Sequence, residues 1–241
     1  MNQNSGNPFF RTFLLLCLVC LGLMLLSFPG YAESDAASSS DLYAGFLAEA
    51  DRWIDIPALR QYGDYTCGAT CVQMLMNWLS PYDADLNLTQ YEELLGTTPE
   101  TGTSPSAVLS FLEENDVEFA ASQALTLSGL QEMLAAGHPV MMPLQAWSSA
   151  EDGGYNLDDP SQSETYLAEG HWVVCVGYGE NAGRLYFLFN DPACVGHTMV
   201  YADELDSRWI DRDGEGTVYD HFGIEILQNT EYDGGGLFYM D

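Results

Sequence analysis

Residues 61–80, Gln61-Tyr62-Gly63-Asp64-Tyr65-Thr66-Cys67-Gly68-Ala69-Thr70-Cys71-Val72-Gln73-Met74-Leu75-Met76-Asn77-Trp78-Leu79-Ser80, change character at Cys67. From there Cys71, Met74, Leu75, Trp78 and Leu79 recur at helical spacing, which predicts an amphipathic helix capped by Asp64 or Thr66 and ended by Pro81. Cys67 thus falls in the first turn, where unpaired backbone N–H groups and the helix dipole favour a negative sulfur. A thiol attacks as thiolate, so this is a position suited to a nucleophile. Gly68 beside it is expected to leave room for a substrate backbone.

Downstream, Thr89 with Glu92 three residues on has the capping-box pattern of a second helix, and Ser104-Pro105 opens a third that runs to about Asn115. Val117–Ala121 is strand-like, Ser128–Ala136 reads as a helix stopped by Gly137, and Pro139–Trp147 is again strand-like. A polar, turn-rich stretch from Glu151 to Gly170 precedes two apolar strands, His171–Tyr178 and Arg184–Asn190, joined by a turn over Gly179–Gly183. Asp203–Trp209 has the makings of a helical turn and Phe222–Leu227 of a last strand. Upstream, Asp41–Trp53 has an amphipathic helical pattern, and Ile54–Leu59 is held extended by Pro57. Helices come first and antiparallel strands later, the order of an α+β domain.

A turn centred on Asn181 sets His171 directly opposite Asp191 across the hairpin. In that arrangement a carboxylate fixes the orientation and tautomer of an imidazole, which then serves as base to a thiol. Gln61, on the extended approach to the helix, carries an amide donor that could join the Cys67 backbone N–H in stabilising an oxyanion.

These three segments, Gln61 to Thr70, Gly170-His171-Trp172-Val173-Val174 and Asn190-Asp191-Pro192, resemble the bacteriocin-processing, double-glycine-leader cysteine peptidases and their exported relatives in the papain-like superfamily. The resemblance runs over roughly residues 53–227 and includes Gly137-His138-Pro139-Val140 and Arg208-Trp209. It implies a papain-like fold, with helices packed on an antiparallel sheet. It also implies Cys67 as nucleophile, His171 as base, Asp191 as orienter and Gln61 as oxyanion donor. The expected chemistry is hydrolysis of a peptide or amide bond through a thioester, with a peptide or protein as substrate and neither cofactor nor metal. A catalytically silent peptide-binding domain and a thioester acyltransferase of related fold are the alternatives. Leader-processing members are fused to a transporter, and this sequence shows no such segment, so the scaffold and the chemistry are what the resemblance carries over.

The remaining features concern export and partners. Arg11, the apolar run Phe13–Phe28 and the small residues near Ala32 make residues 1–32 a secretory signal peptide, followed by a polar leader over 33–40. The catalytic domain is expected over 41–228, with a loose tail over 229–241. The mature protein is expected outside the cytoplasm, with no stable membrane insertion after signal removal. Thirty-six acidic residues face six arginines and no lysine, a formal net charge of −30. Such a chain repels phosphate backbones, which excludes nucleic acid as a partner. No feature specifies an oligomeric state.

Four cysteines lie beyond the signal, Cys67, Cys71, Cys175 and Cys194, so a free Cys67 leaves at most one disulfide. Cys71 and Cys175 sit on apolar faces and read as core. His138 follows the helix stop and reads as a cap or surface residue; His197 and His221 have no matching context. The acidic groups Asp152, Asp158, Asp159 and Asp211, Asp213, Glu215 lack the spacing of a calcium loop and are expected to be solvated charge.

Overall fold

The computed structural model of the chain describes residues 45–80, 86–146, 170–194 and 197–228. The expected signal, leader and tail, and most of the Glu151–Gly170 stretch, lie outside these residues. Nine strands and five longer helices are described: β1 (Ala50–Trp53), α1 (Cys67–Leu79), α2 (Leu88–Leu95), α3 (Pro105–Glu114), β2 (Phe119–Ser122), α4 (Leu127–Ala136), β3 (Val140–Gln145), β4 (Gly170–Asn181), β5 (Arg184–Asn190), β6 (His197–Tyr201), α5 (Ala202–Arg208), β7 (Ile210–Arg212), β8 (Val218–Asp220) and β9 (Gly223–Ile226). Seven strands form one antiparallel sheet in the order β2-β9-β3-β4-β5-β6, with β1 added to β4; β7 and β8 make a separate ribbon. This is the expected α+β architecture.

Strand β4 is the spine of the sheet. Its first half pairs with β3, its second with β1, and β5 runs along its other edge. His171 through Gly177 are all buried, without alternation, as befits a strand covered on both faces. Helix α1 packs against β4 and buries Cys71, Val72, Met74, Leu75 and Trp78, which explains the helical spacing of those residues. Each fully buried Leu or Met contributes roughly 1.5–3 kcal/mol, so this seam is what fixes Cys67 relative to His171.

Several local readings are corrected. Of the described part of the expected opening helix, 45–48 is helical and Ala50–Trp53 is a strand, because Arg52 and Trp53 find backbone partners in Tyr178 and Gly177. Helix α2 starts at Leu88, ahead of Thr89, because Asn87 and Gln90 form a reciprocal capping box. Thr66 is the N-cap position of α1, yet its hydroxyl makes no cap bond and donates to Gly63 O at 3.2 Å instead. Strands β6, β7 and β8 were not anticipated.

The largest correction concerns the hairpin. The β4–β5 turn is the two-residue Ala182-Gly183 with positive φ at both positions, flanked by the pair Asn181↔Arg184. Gly177 and Gly179 belong to the strand: a Cβ on Gly177 would collide with Arg52 O, and one on Gly179 with the Tyr186 hydroxyl. These glycines admit β1 and Tyr186 rather than making the turn. A bulge between Cys175 and Gly177 then shifts the ladder so that Val174 faces Asn190. His171 pairs with Leu144 of β3 and is not directly opposite Asp191.

Candidate active site

Cys67 is the first residue of α1 and is 7% exposed. The first helical backbone bond at this end runs from Thr70 N–H to Thr66 O at 2.9 Å, so the N–H groups of Cys67, Gly68 and Ala69 have no intrahelical acceptor. No side chain caps them and no acid lies in the first turn, which leaves the positive end of the helix directed at the sulfur's surroundings. Gly68 serves packing, contrary to the expectation of substrate room. A Cβ there would lie 2.6 Å from Thr103 Cβ and 3.0 Å from Trp172 Cδ1.

His171 is 2% exposed, one residue into β4. Its Nε2–H donates to Asp191 Oδ1 at 2.7 Å, and the Cys67 sulfur lies close enough to the ring to favour its charged form. Burial works against a charged imidazole here. The bond to Asp191, then the sulfur of Cys67, outweigh it and raise His171 from 6.5 to about 9.

The relay forms despite the shifted register, because the bulged ladder, continued past Asn190, would set Asp191 across from Val173. His171 is two residues further on the same face, a diagonal neighbour within reach of a long side chain. Asp191 itself is held from several sides. Burial pushes its carboxyl up, but His171, the Ala193 N–H at 2.9 Å and the Cys194 thiol at 3.7 Å keep it below its ordinary value; the Thr198 hydroxyl donates to Oδ2 at 3.4 Å.

The preceding Asn190 is fully buried. Its Nδ2 donates to Ile56 O at 2.8 Å, so its Oδ1 accepts from His197 Nδ1–H at 2.7 Å, and the His197 ring packs edge-on against Trp53. His197, which had no context in the sequence, thus braces the strand end that carries Asp191. His138 donates to Glu225 at 2.8 Å, away from the relay.

Gln61 is tied to the same region by its backbone N–H, which donates to Pro192 O at 2.8 Å. Its side-chain amide donates to Gly63 O at 2.7 Å, and Oε1 is buried with no hydrogen-bond partner among the described residues. The structure therefore brings Cys67, His171 and Asp191 together, with His171 bonded to Asp191 and beside Cys67, and joins Gln61 to them through the Asp191-Pro192 turn.

The other described thiols, Cys71, Cys175 and Cys194, are free in the structure and differ in kind from Cys67. Cys71 is fully buried, donates to Trp172 O at 3.3 Å and is pushed far up by burial and by its neighbours Cys67 and Asp191. Cys175 is likewise buried and pushed up, as the core reading expects. Cys194 is raised by burial and by Asp191.

A cleft of about 290 Å³ opens at Cys67, walled by Thr103, Gly170 and Trp172, with Trp172 pinned by its indole N–H to Thr103 O at 3.0 Å. Two further residues that the sequence reading did not place in the site meet here. Gln145, fully buried, donates to Ile210 O and to Asp211 Oδ1, each at 3.0 Å, and Asp211 lies in the cleft wall. Asp211 had been assigned to solvent; the β3–β7 contact draws it in instead.

The sequence profile of the Peptidase_C39 like family matches residues 53–216, more than half of the chain. No curated protein matches the chain. Among solved structures, the chain is similar to a double glycine motif protease from an AMS/PCAT transporter in complex with its leader peptide, at 15% identity and TM-score 0.49 over 73% of this chain and 96% of that one. It is also similar to a C39-like peptidase from Bacillus anthracis (14% identity, TM-score 0.49, 75% and 100% coverage) and to the peptidase domain of Streptococcus ComA, a bi-functional ABC transporter of a quorum-sensing pathway (14%, 0.46, 72% and 100%).

Proposed function

Because the chain belongs to the Peptidase_C39-like family, a family of cysteine peptidases within the papain-like fold, we propose that it is an exported hydrolase that cleaves a peptide or amide bond through a thioester on Cys67. The observation that carries this reading is the juxtaposition of Cys67, His171 and Asp191, with the imidazole bonded to the carboxylate and beside the sulfur. His171 holds the thiol proton as Sγ attacks the substrate carbonyl carbon, and the carbonyl electrons move onto oxygen. When the oxyanion collapses, His171 returns the proton to the leaving amine and a thioester remains. Water, deprotonated by the same imidazole, then attacks the thioester, and the acid leaves with regeneration of the thiol.

Asp191 keeps Nε2 protonated and so leaves Nδ1 as the nitrogen that takes and returns the proton. The backbone N–H of Cys67, at the uncapped helix tip, is one donor to the oxyanion in both tetrahedral steps. The second amide proton of Gln61, not engaged by Gly63 O, is the other in this reading, and Gln61→Ala is expected to lower turnover about a hundredfold. A peptide substrate accords with the relative solved in complex with a leader peptide. Export rests on the signal-like residues 1–32, with the catalytic domain over 41–228.

The test is a peptide-library digest by the mature chain, with the acyl-enzyme trapped by acid quench and located by mass spectrometry. Cleavage with a mass adduct on Cys67 is expected. Intact peptides and an unmodified Cys67 would reject hydrolysis, and products carrying an added amine in place of water would turn the reading into acyl transfer.

A further inference from the structure

Asp211 is a partly buried carboxylate of the cleft wall that the thioester chemistry does not use. It sits on β7, and its carboxylate lies flat against Gly170, the residue before His171; a Cβ on Gly170 would come within 2.5 Å of Asp211 Oδ1. The absence of a side chain at Gly170 therefore makes the space this carboxylate occupies. Gln145, buried and further held by Arg208 through its carbonyl at 3.4 Å, fixes Oδ1 in place. Burial, and after it the repulsion of Asp213, raise Asp211 from 3.8 to about 6, against the pull of the Arg212 N–H, Gln145 and His171.

Among the described residues Asp211 forms no ion pair. A partly buried carboxylate without an ion pair of its own costs the fold stability, and the nearby His171, whose charge is already matched by Asp191, offsets little of that cost. It does face the space where substrate must lie, since the same cleft of about 290 Å³ is lined by Cys67. A substrate whose carbonyl reaches the sulfur places its neighbouring groups against Asp211. Among the described residues the rest of the charged wall is mostly of the same sign: Asp64, Glu100 and Asp213 line the cleft, against Arg212.

We propose that Asp211 is a specificity-determining residue, and that the cleft takes peptides with a cationic group, a lysine or arginine side chain or a free amine, next to the scissile bond. This rests on the proposed function for the position of the scissile bond, while the charge preference itself is a property of the cleft. The cation would supply the counter-charge that Asp211 lacks, and Gln145 would hold the receiving oxygens still. Charge complementarity of this kind selects partners more than it adds affinity.

The experiment uses the Cys67→Ala mature chain, which cannot turn over, and fluorescent peptides that are identical except for lysine or norleucine placed at each position in turn. Dissociation constants are measured at 0.15 M salt. At one or two positions lysine is expected to bind about tenfold more tightly than norleucine. That ratio should fall to near one with Asp211→Asn, fall partway with Asp213→Asn, and persist with Glu132→Gln, an exposed acid on α4 outside the cleft that controls for the overall negative charge. Equal binding of lysine and norleucine peptides, or a preference that survives Asp211→Asn, overturns the proposal. Turnover by the unmutated chain is read separately: a lysine preference without cleavage keeps this site and rejects the hydrolase, and cleavage without the preference does the reverse.

Discussion

Asp191 and Asp211 stand near the same imidazole, and their surroundings push them in opposite directions. Asp191, in the turn after β5, accepts from His171, a backbone N–H, a thiol and a hydroxyl, and its carboxyl is held below the ordinary value. Asp211, on the β7 edge, accepts from Gln145 and faces Asp213, and its carboxyl is pushed up to about 6. Burial opposes the charge in both; the number of donors aimed at the oxygens decides the outcome. One carboxylate is fully committed to the protein and the other is left with capacity for something outside it.

That contrast predicts opposite effects from the same substitution. Asp191→Asn should lower kcat/KM by 10²–10⁴-fold, since an amide no longer fixes the imidazole tautomer, whereas Asp211→Asn should leave kcat on a neutral peptide within about threefold. Steady-state kinetics on one norleucine-containing substrate compare the two, and equal losses would erase the distinction.

Stability should separate them next. Asp191→Ala removes the counter-charge from a buried imidazole and is expected to cost about 3–5 kcal/mol near pH 6 by urea denaturation. Asp211→Asn should instead stabilise the fold by about 1–3 kcal/mol at pH 8. The sign follows from linkage: a carboxyl whose folded pKa lies above its unfolded value of 3.8 binds extra protons in the native state, so stability falls as pH rises from about 4 through 6. The gain from Asp211→Asn should therefore vanish below about pH 4. A loss of stability at pH 8 would mean that the charge supports the fold.

The His171–Asp191 pair has its own window. His171, raised from 6.5 to about 9, contributes stability that is complete below 6.5 and lost as pH rises through 9; Asp191, lowered from 3.8, contributes above 3.8 and loses it as pH falls through its lower folded value. Their joint contribution is largest between about pH 4 and 6.5, and the difference in stability between the wild type and Asp191→Ala should peak there. The smallest expected effect is at Thr198: Thr198→Val removes one of several donors to Asp191 and should cost only two- to fivefold in kcat, with KM unchanged.

One side of this contrast is legible in the sequence and the other is not, for a physical reason. Helix α1 was legible because its apolar spacing and its packing against β4 agree, as was α3 from Ser104-Pro105 and the end of α4 from Gly137. Cys67, His171 and Asp191 were legible as a trio, although the register used to pair the last two was wrong: Gly177 and Gly179 carry the same letter whether they make a turn or admit another strand. Strands β1 and β6 add to β4 and β5 through backbone pairing that no local pattern of Ala50–Trp53 or His197–Tyr201 specifies. Asp211 was invisible for the same reason. Its burial depends on β7 lying against β3 and on a missing side chain at Gly170, some forty positions earlier in the chain.

The claim beneath all of this is that His171 activates Cys67. Brief alkylation with iodoacetamide at pH 7, mapped by mass spectrometry in the wild type and in His171→Ala, tests it most directly. Modification is expected at Cys67 well ahead of Cys71, Cys175 and Cys194, with that lead lost in His171→Ala; labelling that favours Cys194, or a Cys67 rate indifferent to the histidine, would contradict the account.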